Sequence, residues 1–438
     1  IISQLDSIIL KRNRINIIRI KSNISLSRSI SIFLNKIKLK KQIIRILHGD
    51  TIIEDIPKHK NCICIADTHF DYNWEIKKQN LKKNTVWCGY FSFSNYRSLK
   101  YYLNKFPNSF ENAVKAYQSK YNNFFYKTKK WYDFGHLNSY FYSRSKNLQS
   151  RYFNNIIIKN DIVYKKSTKD KNKIYNEYLW YTKLPLNIKR FVPQIFSYNK
   201  KDSSYSLEYL TLIPLNEIYV HCNNREFYWY NIFNAIKVWF DEVSVNKKNL
   251  TVYEKKLINL QKAKLIKSKT YSRVRSYLDY LNIDFNYKFK LNNIDCYPIN
   301  TVIDNCINKI MNLNIQHGVM HGDLCFSNIL FSPRSNNIKV IDPLGTENIV
   351  FGDLLYDYAK LSHSVIGLYD FIISNAYELI KISEREYQLK IFEDENTPII
   401  KKIFMNYKYF KNINFIDIMP IVVLLFLSMA YLHIDDKK

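Results

Sequence analysis

One segment, H-G-D-L-C-F-S-N at residues 321–328, carries most of the information on the fold of the second half of the chain. The apolar residues 329–331 follow it, then a turn-rich run at 332–337, and then the strand pattern I-K-V-I-D at 338–342. Two short apolar strands around one turn form a β-hairpin. Because a hairpin reverses the chain, the residue that enters it and the residue that leaves it should lie together, beside the loop.

The residues brought together in this way are Asp323, Asn328 and Asp342, whose side chains all carry oxygen. Phosphoryl transfer needs such a set, because one carboxylate must orient the attacking hydroxyl and accept its proton while an amide and a second carboxylate hold Mg²⁺ on the nucleotide phosphates. Hard oxygen ligands also suit Mg²⁺ better than zinc. A chance turn is the alternative, but the hairpin spacing and the downstream acids Asp353 and Asp357 argue against it.

Three segments, HGDLCFSNIL (321–330), VIDPLG (340–345) and GDLLYDYAKLSHS (352–364), resemble the aminoglycoside-phosphotransferase and choline-kinase superfamily, which has the protein-kinase-like fold. The resemblance implies a bilobal phosphotransferase that uses ATP and Mg²⁺. Protein kinases have Asp-Phe-Gly where this chain has D-P-L-G at 342–345, with one extra residue. That difference favours a small-molecule kinase over a protein kinase.

The same resemblance implies roles for single residues. Asp323 would be the catalytic base, with Asn328 and Asp342 as Mg²⁺ ligands. His321 would order the loop, and Asp357 would be a structural acid that steadies it. Lys360 and His363 follow Asp357 in the sequence and could face the acceptor. A lone His at such a position is, however, more often a core residue whose hydrogen bonds are satisfied.

A kinase-like small lobe should supply a strand Lys that pairs with a helix Glu. Apolar runs at 156–158 and 162–164 predict paired strands around a turn, and the second strand ends in Lys165 and Lys166. Strand alternation lets only one of these lysines face inward. We favour Lys166, which directly precedes Ser-Thr as in the family pattern, and expect it to pair with Glu177 and to neutralise the α- and β-phosphates. Lys165 is the alternative.

The resemblance also divides the second part of the chain. Residues 154–212 would form the small lobe and residues 213–438 a helical large lobe. The segment L-E-Y-L at 207–210 resembles the hinge between the lobes, where the backbone around Glu208 and Leu210 would bind adenine.

Residues 1–153 carry a different pattern, in which apolar strands alternate with helical segments, as in an α/β layer with carboxylates at strand ends. Asp50 in H-G-D and Asp133 in W-Y-D-F-G resemble the two metal carboxylates of sugar-phosphate nucleotidyltransferases, and G-Y-F-S-F at 89–93 resembles their sugar-pocket strand. The resemblance implies a partial Rossmann-like nucleotidyltransferase domain that holds Mg²⁺. Its Gly-rich triphosphate loop is absent, so the domain is truncated or no longer transfers nucleotides. The alternative is that Asp50 and Asp133 are acids that cap helices after strands.

The order of the motifs adds information. W-Y-D-F-G-H (131–136), R-Y-F-N (151–154), the Lys strand, E-Y-L-W-Y (177–181) and the loop at 321–328 together resemble bacterial fused proteins of capsular or surface-polysaccharide synthesis.

The composition limits the other function classes. The chain of 438 residues carries 66 Lys and Arg against 38 acids, a net charge of +28. Because the charge is spread along the whole chain, we expect compositional drift and no specific nucleic-acid site. Seven Cys without a C-x-x-C pair fit a reducing cytoplasm. The apolar run at 418–434 is short and contains Pro420, which favours a buried helix over a transmembrane span.

These observations predict an α/β domain followed by an α+β domain, in a cytoplasmic enzyme that transfers the γ-phosphoryl group of ATP to a hydroxyl of a sugar, polyol or amino alcohol. Two alternatives stay open. Nucleotidyl transfer by the amino-terminal domain could be the main activity, or the chain could be a catalytically silent scaffold that binds polyanions.

Overall fold

The computed structural model describes residues 15–18, 20, 23–36, 43–70, 72, 75–79, 83–122, 124–146, 155–167, 170–222, 224–345 and 349–433. The chain divides into two compact units, one within Ile15–Gln149 and one within Ser150–Lys438. The predicted domain boundary at 153/154 and the R-Y-F-N motif lie outside the described residues.

The amino-terminal unit alternates short strands with helices. Its described strands are β1 (Ile44–Leu47), β2 (Thr51–Ile53), β3 (Cys62–Thr68), β4 (Glu75–Gln79), β5 (Lys83–Phe93), β6 (Phe124–Lys127) and β7 (Trp131–Asp133). Its described helices are α1 (Leu26–Lys36), α2 (Tyr96–Lys105), α3 (Phe110–Lys120) and α4 (Leu137–Lys146).

The main sheet of this unit has the order β1-β5-β3-β6, with β4 also paired to β5. Only the β3–β6 pair is parallel, and the other pairs of this sheet are antiparallel among the described residues. β2 and β7 form a separate antiparallel pair. The mixed α/β class is therefore present, but the structure does not confirm the Rossmann-like sheet, which requires mainly parallel strands.

The long strand β5 is buried on both faces, which explains its nearly continuous apolar sequence. Phe91 and Phe93 pack with residues of α1, α2 and α3 on one face. Cys88 and Tyr90 pack with residues of β2 and β3 on the other. This arrangement places β2 and β7, and with them Asp133, on the face opposite the helices.

The carboxy-terminal unit begins with a four-stranded antiparallel sheet in the order β10-β11-β9-β8. Its strands are β8 (Asn155–Lys159), β9 (Ile162–Lys166), β10 (Ile195–Asn199) and β11 (Ser204–Glu208), and α5 (Lys171–Lys183) packs on β10 and β11. Asn160 and Asp161 join β8 to β9 with φ of 52° and 58°, the left-handed conformation of a tight hairpin turn. The predicted hairpin is confirmed.

The rest of this unit contains most of the helices. They are α6 (Leu186–Lys189), α7 (Leu215–His221), α8 (Glu226–Val243), α9 (Val252–Ala263), α10 (Lys269–Leu281), α11 (Ile299–Met311), α12 (Leu354–Val365), α13 (Tyr369–Ile373), α14 (Thr397–Asn406) and α15 (Phe415–Met429). A π-helical turn, Lys264–Ser268, joins α9 to α10, and 3₁₀ turns cover Lys247–Asn249, Phe326–Asn328 and Ala430–His433.

Strands interrupt these helices more often than predicted. They are β12 (Ile213–Pro214), β13 (Lys290–Leu291), β14 (Ile294–Asp295), β15 (His317–Val319), β16 (Ile329–Ser332), β17 (Asn337–Val340), β18 (Phe351–Asp353), β19 (Tyr377–Ser383) and β20 (Glu386–Ile391). The predicted hairpin is confirmed as β16–β17, in which Ile329 lies opposite Val340. The sheet β14-β13-β20-β19 was not predicted, because β19 is mostly exposed and lacks a strong apolar pattern.

The helical core is built around α8 and α12. One face of α8 is buried, including Trp229, Phe233 and Trp239, and all residues of α12 are buried. Within the described residues, Phe415–His433 is the one helical segment long and apolar enough to cross a membrane. It packs against α10, α11 and α12 and buries Ile418, Val422 and Leu425.

Candidate active site

A buried carboxylate, that of Asp357, anchors the loop at 321–328. The backbone N–H groups of His321 and Gly322 donate to Asp357 Oδ2 and Oδ1 at 2.7 and 2.6 Å. Asp357 lies on the fully buried helix α12, and this burial raises its pKa to about 7. The two N–H donors and the neighbouring Lys360 oppose the shift. These contacts are the ones that a loop-steadying acid has to make.

The side chain of His321 ties the loop to the strand that follows the hairpin. Its Nε2 lies 3.0 Å from the carbonyl oxygen of Ile341, and the N–H of Asp323 donates to its Nδ1 at 3.3 Å. Burial lowers the pKa of His321 to about 4, so the ring is neutral at pH 7. Since Nδ1 accepts, the ring proton is on Nε2 and points at Ile341. The ring also meets the edge of Trp180, at a centroid distance of 5.6 Å.

The hairpin brings the predicted oxygen donors to one place. Asn328 Nδ2 donates to the backbone oxygen of Asp323 at 2.9 Å and to its Oδ2 at 3.2 Å. The N–H of Ile341 donates to the carbonyl of Asn328 at 3.0 Å, which places the backbone of the following residue, Asp342, close to Asn328. Asp342 has φ of 58°, an uncommon conformation for a residue other than glycine. Its N–H donates to the hydroxyl of Tyr181 at 3.1 Å.

The lysine that pairs with Glu177 is Lys165, so the prediction of a Lys166–Glu177 pair is wrong. Lys165 Nζ lies 2.6 Å from Glu177 Oε2 and 3.1 Å from Asp342 Oδ1. The Lys166 side chain is 44% exposed and lies 3.5 Å from Asp202. Strand alternation explains the difference: Lys165 lies opposite the buried Tyr205 of β11, and Lys166 points the other way.

The Lys165 ion pair is almost fully buried. The side chains of Lys165 and Glu177 are 3% and 1% exposed, and the Tyr205 hydroxyl also donates to Glu177 at 2.8 Å. Burial alone would lower the pKa of Lys165, but the charges of Asp342 and Glu177 outweigh it and raise the pKa. Lys165 is therefore a permanent positive charge at the edge of the predicted nucleotide site.

The two candidate acceptor residues occupy different environments. Lys360 Nζ lies 2.9 Å from Asp323 Oδ1. Although burial opposes it, the charge of Asp323 raises the pKa of Lys360 well above its ordinary value. His363 is fully buried between the rings of Tyr369 and Phe426, at 4.3 and 4.1 Å, and its nitrogens have no hydrogen-bond partner in the described part of the chain. His363 is a core residue, and its predicted acceptor contact is wrong.

The predicted hinge lies at the end of β11. Glu208 is the last residue of this strand, and its Oε2 accepts a hydrogen bond from the N–H of Gln194 at 3.1 Å. Leu210 follows two residues later and is half-buried. Binding of adenine by this segment stays a prediction.

In the amino-terminal unit, the carboxylates of Asp50 and Asp133 both lie close to Gly135, so that a Cβ at this glycine would contact both of them. Four groups donate to Asp133: the hydroxyls of Tyr72 and Ser139, the His136 ring and the N–H of Gly135. Although burial opposes it, these donors lower the pKa of Asp133. Across the described ranges, no group of three or more His, Cys, Asp or Glu side chains could hold a metal ion.

Two basic residues near Asp323 were not predicted as site residues from the sequence. Lys269 and Arg273 lie on α10, within a stretch that shows only a polar, basic helical pattern. Both are half-buried, and both interact electrostatically with Asp323. Their spacing of one helical turn is the only signal in the sequence, and it does not indicate what the helix face meets.

The chain is similar to several solved structures at low sequence identity and low TM-score. No family model matches the chain, and no curated protein matches it. A choline/ethanolamine kinase family protein from Mesorhizobium loti is 9% identical, with 69% of this chain and 88% of that chain covered and a TM-score of 0.37. Choline kinase LicA from Streptococcus pneumoniae is 11% identical, with 67% and 85% covered and a TM-score of 0.37. An aminoglycoside phosphotransferase from Streptomyces rimosus is 11% identical, with 63% and 92% covered and a TM-score of 0.36.

Proposed function

We propose that the carboxy-terminal unit is an ATP- and Mg²⁺-dependent phosphotransferase that transfers the γ-phosphoryl group to a hydroxyl of a small molecule. The observation that carries this proposal is the meeting of Asp323, Asn328 and Asp342 around one chain reversal, beside the buried Lys165–Glu177 pair. Phosphoryl transfer requires mainly positioning and charge stabilisation, and these residues supply both.

Asp323 is suited to the role of general base. Its side chain is 35% exposed, so an acceptor hydroxyl can reach it. Its two oxygens are oriented by Asn328 on one side and by Lys360 on the other. The backbone that carries it is fixed by Asp357 and His321. A positioned carboxylate of this kind accepts the hydroxyl proton as the oxygen attacks phosphorus.

The residues on the nucleotide side fit Mg²⁺. The carboxylate of Asp342 is 44% exposed. Asn328 donates from Nδ2 to Asp323, so the Oδ1 of Asn328 points away from Asp323. Mg²⁺ is usually held by one or two such protein oxygens together with substrate phosphates. When bound, the ion would neutralise charge on the phosphates. Lys165, held in place by Glu177, would add a positive charge for the α- and β-phosphates.

The test is phosphoryl transfer from Mg·ATP to a panel of hydroxyl compounds, followed by product mass. We expect Asp323→Asn to lower product formation at least about 100-fold, since general base catalysis contributes on the order of 10² to 10⁴. ATP binding should be retained. The matched control is Asp279→Asn, an exposed acid on α10, which should behave like the wild type. If the wild type and Asp323→Asn turn over ATP equally with every acceptor, the assignment is wrong and the scaffold alternative gains support.

The physiological setting is part of the same proposal. The acceptor would be a sugar, a polyol or an amino alcohol in surface-polysaccharide synthesis, and the enzyme would act in the cytoplasm, where ATP is available. The order of sequence motifs along the chain supports this assignment.

Nucleotidyl transfer by the amino-terminal unit is a second candidate function. It is favoured by one observation, the approach of Asp50 and Asp133 to the same glycine. The hydrogen bonds that Asp133 accepts weigh against it, because a metal ion would have to displace them. Its test is the formation of a nucleotide sugar from CTP, UTP or GTP and sugar phosphates, which Asp50→Asn should abolish. No product with any nucleotide would reject this function.

A further inference from the structure

The helix α10 presents two cations on the face that interacts with Asp323. It begins at Lys269, directly after the π-helical turn Lys264–Ser268. Lys269 and Arg273 are four residues apart and therefore lie on one face of the helix. Both are half-buried, whereas the neighbouring Arg275 is exposed. Short π-helical turns often occur at functional sites.

The helix α12 contributes a second pair with the same spacing, the buried Tyr356 and Lys360. Lys360 contacts the Asp323 carboxylate at 2.9 Å. Arg273 interacts electrostatically with Asp323 and lies near Tyr356. Lys269 interacts with Arg273, Lys360 and Asp323, and with Lys173 of α5. The faces of α10 and α12 thus share one space beside the proposed base.

Positive charge exceeds negative charge in this space. Three cations, Lys269, Arg273 and Lys360, lie near two carboxylates, Asp323, which pairs with Lys360, and Asp357, which accepts the N–H groups of the loop. Lys269 and Arg273 have no ion-pair partner within 4.0 Å among the residues that the structure describes. Burial, together with the nearby cations, lowers the pKa of Lys269 to about 7. Cations left without partners at partly buried positions favour a negatively charged ligand.

The two oxygens of the Asp323 carboxylate have different partners. Oδ2 is bound by Asn328, the proposed Mg²⁺ ligand, and Oδ1 by Lys360. In phosphoryl transfer the attacking and leaving oxygens lie roughly in line on opposite sides of phosphorus. An acceptor hydroxyl that approaches Asp323 from the side away from the nucleotide would come close to Oδ1, the oxygen that contacts Lys360.

We propose that the acceptor is an anion, a small hydroxyl compound that carries a phosphate or a carboxylate, and that Lys269 and Arg273 bind this group. The proposal rests on the proposed kinase function and narrows it. It excludes amino alcohols and other cationic acceptors, which the same residues would repel. Lys269 and Arg273 would be binding residues for the acceptor and would not take part in the bond changes.

The transfer exchanges one bond at the γ-phosphorus for another. A bond forms between the acceptor hydroxyl oxygen and the γ-phosphorus of ATP, and the bond from that phosphorus to the β–γ bridging oxygen breaks. The hydroxyl proton moves to Asp323, and ADP leaves with the electron pair of the broken bond. The anionic group of the acceptor is unchanged.

The experiment compares acceptors of similar size and different charge on the full chain. The probes are glycerol 3-phosphate and glycerate as anions, glycerol as the neutral compound and choline as the cation, each with Mg·ATP. In the wild type we expect the highest kcat/KM with an anionic probe, and the two anions distinguish a phosphate site from a carboxylate site. In Lys269→Ala/Arg273→Ala we expect kcat/KM for that anion to fall about tenfold or more, mainly through KM. KM for ATP should change less than about twofold.

Two further variants keep the result interpretable if the double variant folds poorly. Lys269→Arg/Arg273→Lys keeps both charges and should retain most of the anion preference. Arg275→Ala removes an exposed cation of the same helix and should have no effect. Preference for choline or glycerol in the wild type would overturn the proposal, as would an equal loss for all probes or a raised KM for ATP in the double variant. If no probe is phosphorylated and Asp323→Asn changes nothing, the kinase function itself fails.

Discussion

Replacement of Lys165 by Met tests the centre of the proposed nucleotide site. Lys165 Nζ contacts Glu177 at 2.6 Å and Asp342 at 3.1 Å, and the Glu177 side chain is 1% exposed. Lys165→Met leaves Glu177 as a buried carboxylate whose remaining partners are the Tyr205 hydroxyl and the more distant Lys173, at 3.9 Å. Removal of one partner of a buried ion pair typically costs about 3–5 kcal/mol.

The adjacent residue provides a matched control. Lys166 lies 3.5 Å from Asp202, and their side chains are 44% and 58% exposed. Exposed pairs of this kind contribute about 0–1 kcal/mol, so Lys166→Met should have little effect on stability. Lys165→Met/Glu177→Gln removes both charges of the buried pair, and it should recover part of the stability that Lys165→Met loses.

The assay is urea unfolding followed by circular dichroism, with Mg·ATP binding measured on the same proteins. We expect a lower unfolding midpoint and weaker ATP binding for Lys165→Met, and wild-type values for Lys166→Met. Equal destabilisation by the two substitutions would refute the assignment of the buried lysine. Loss of ATP binding in Lys166→Met alone would refute it as well.

Two further predictions concern the anchors of the loop. Asp357→Ala removes the acceptor of two buried N–H groups and should lower the free energy of unfolding by about 2–6 kcal/mol. Asp357→Asn retains one acceptor oxygen and should cost less, and equal losses in urea unfolding would contradict this account. The pKa of His321 falls from 6.5 to about 4 in the fold, so the unfolded chain binds more protons between these values and stability is lost as the pH falls through this range. The contribution of His321 to this loss should be about 2 kcal/mol between pH 7 and pH 4.5 and should be absent in His321→Asn, as measured by urea unfolding at both pH values.

The loop and its hairpin could be predicted because the information is local. Residues 321–342 contain the loop, both strands and the turn, so the chain reversal follows from short-range pattern alone. The choice between Lys165 and Lys166 could not be made in the same way. β9 ends in two lysines, and Tyr164 beside them is largely exposed although it is aromatic. The pairing of β9 with β11, which is distant in sequence, determines which side chains of β9 face inward.

Long-range packing also explains the other differences. Alternation of strands and helices in the amino-terminal unit predicts an α/β layer, but it does not determine strand direction, and most pairs are antiparallel. The role of the basic face of α10 cannot be inferred from its own sequence. It depends on Asp323 and Lys360, which contact each other and lie far from α10 along the chain. A pattern of polar helical residues cannot show which of them meet a carboxylate.

The excess of positive charge at Lys269 and Arg273 differs from the general basicity of the chain. In a protein with a net charge of +28, cations on the surface need no local explanation. The buried lysines of the described residues are different, because each has a carboxylate partner: Lys165 with Glu177 and Asp342, Lys262 with Asp353, and Lys360 with Asp323. Where folding removes a lysine from water, a carboxylate thus compensates its charge. Lys269 and Arg273 are partly removed from water without such a partner, and an anionic acceptor would supply the missing charge.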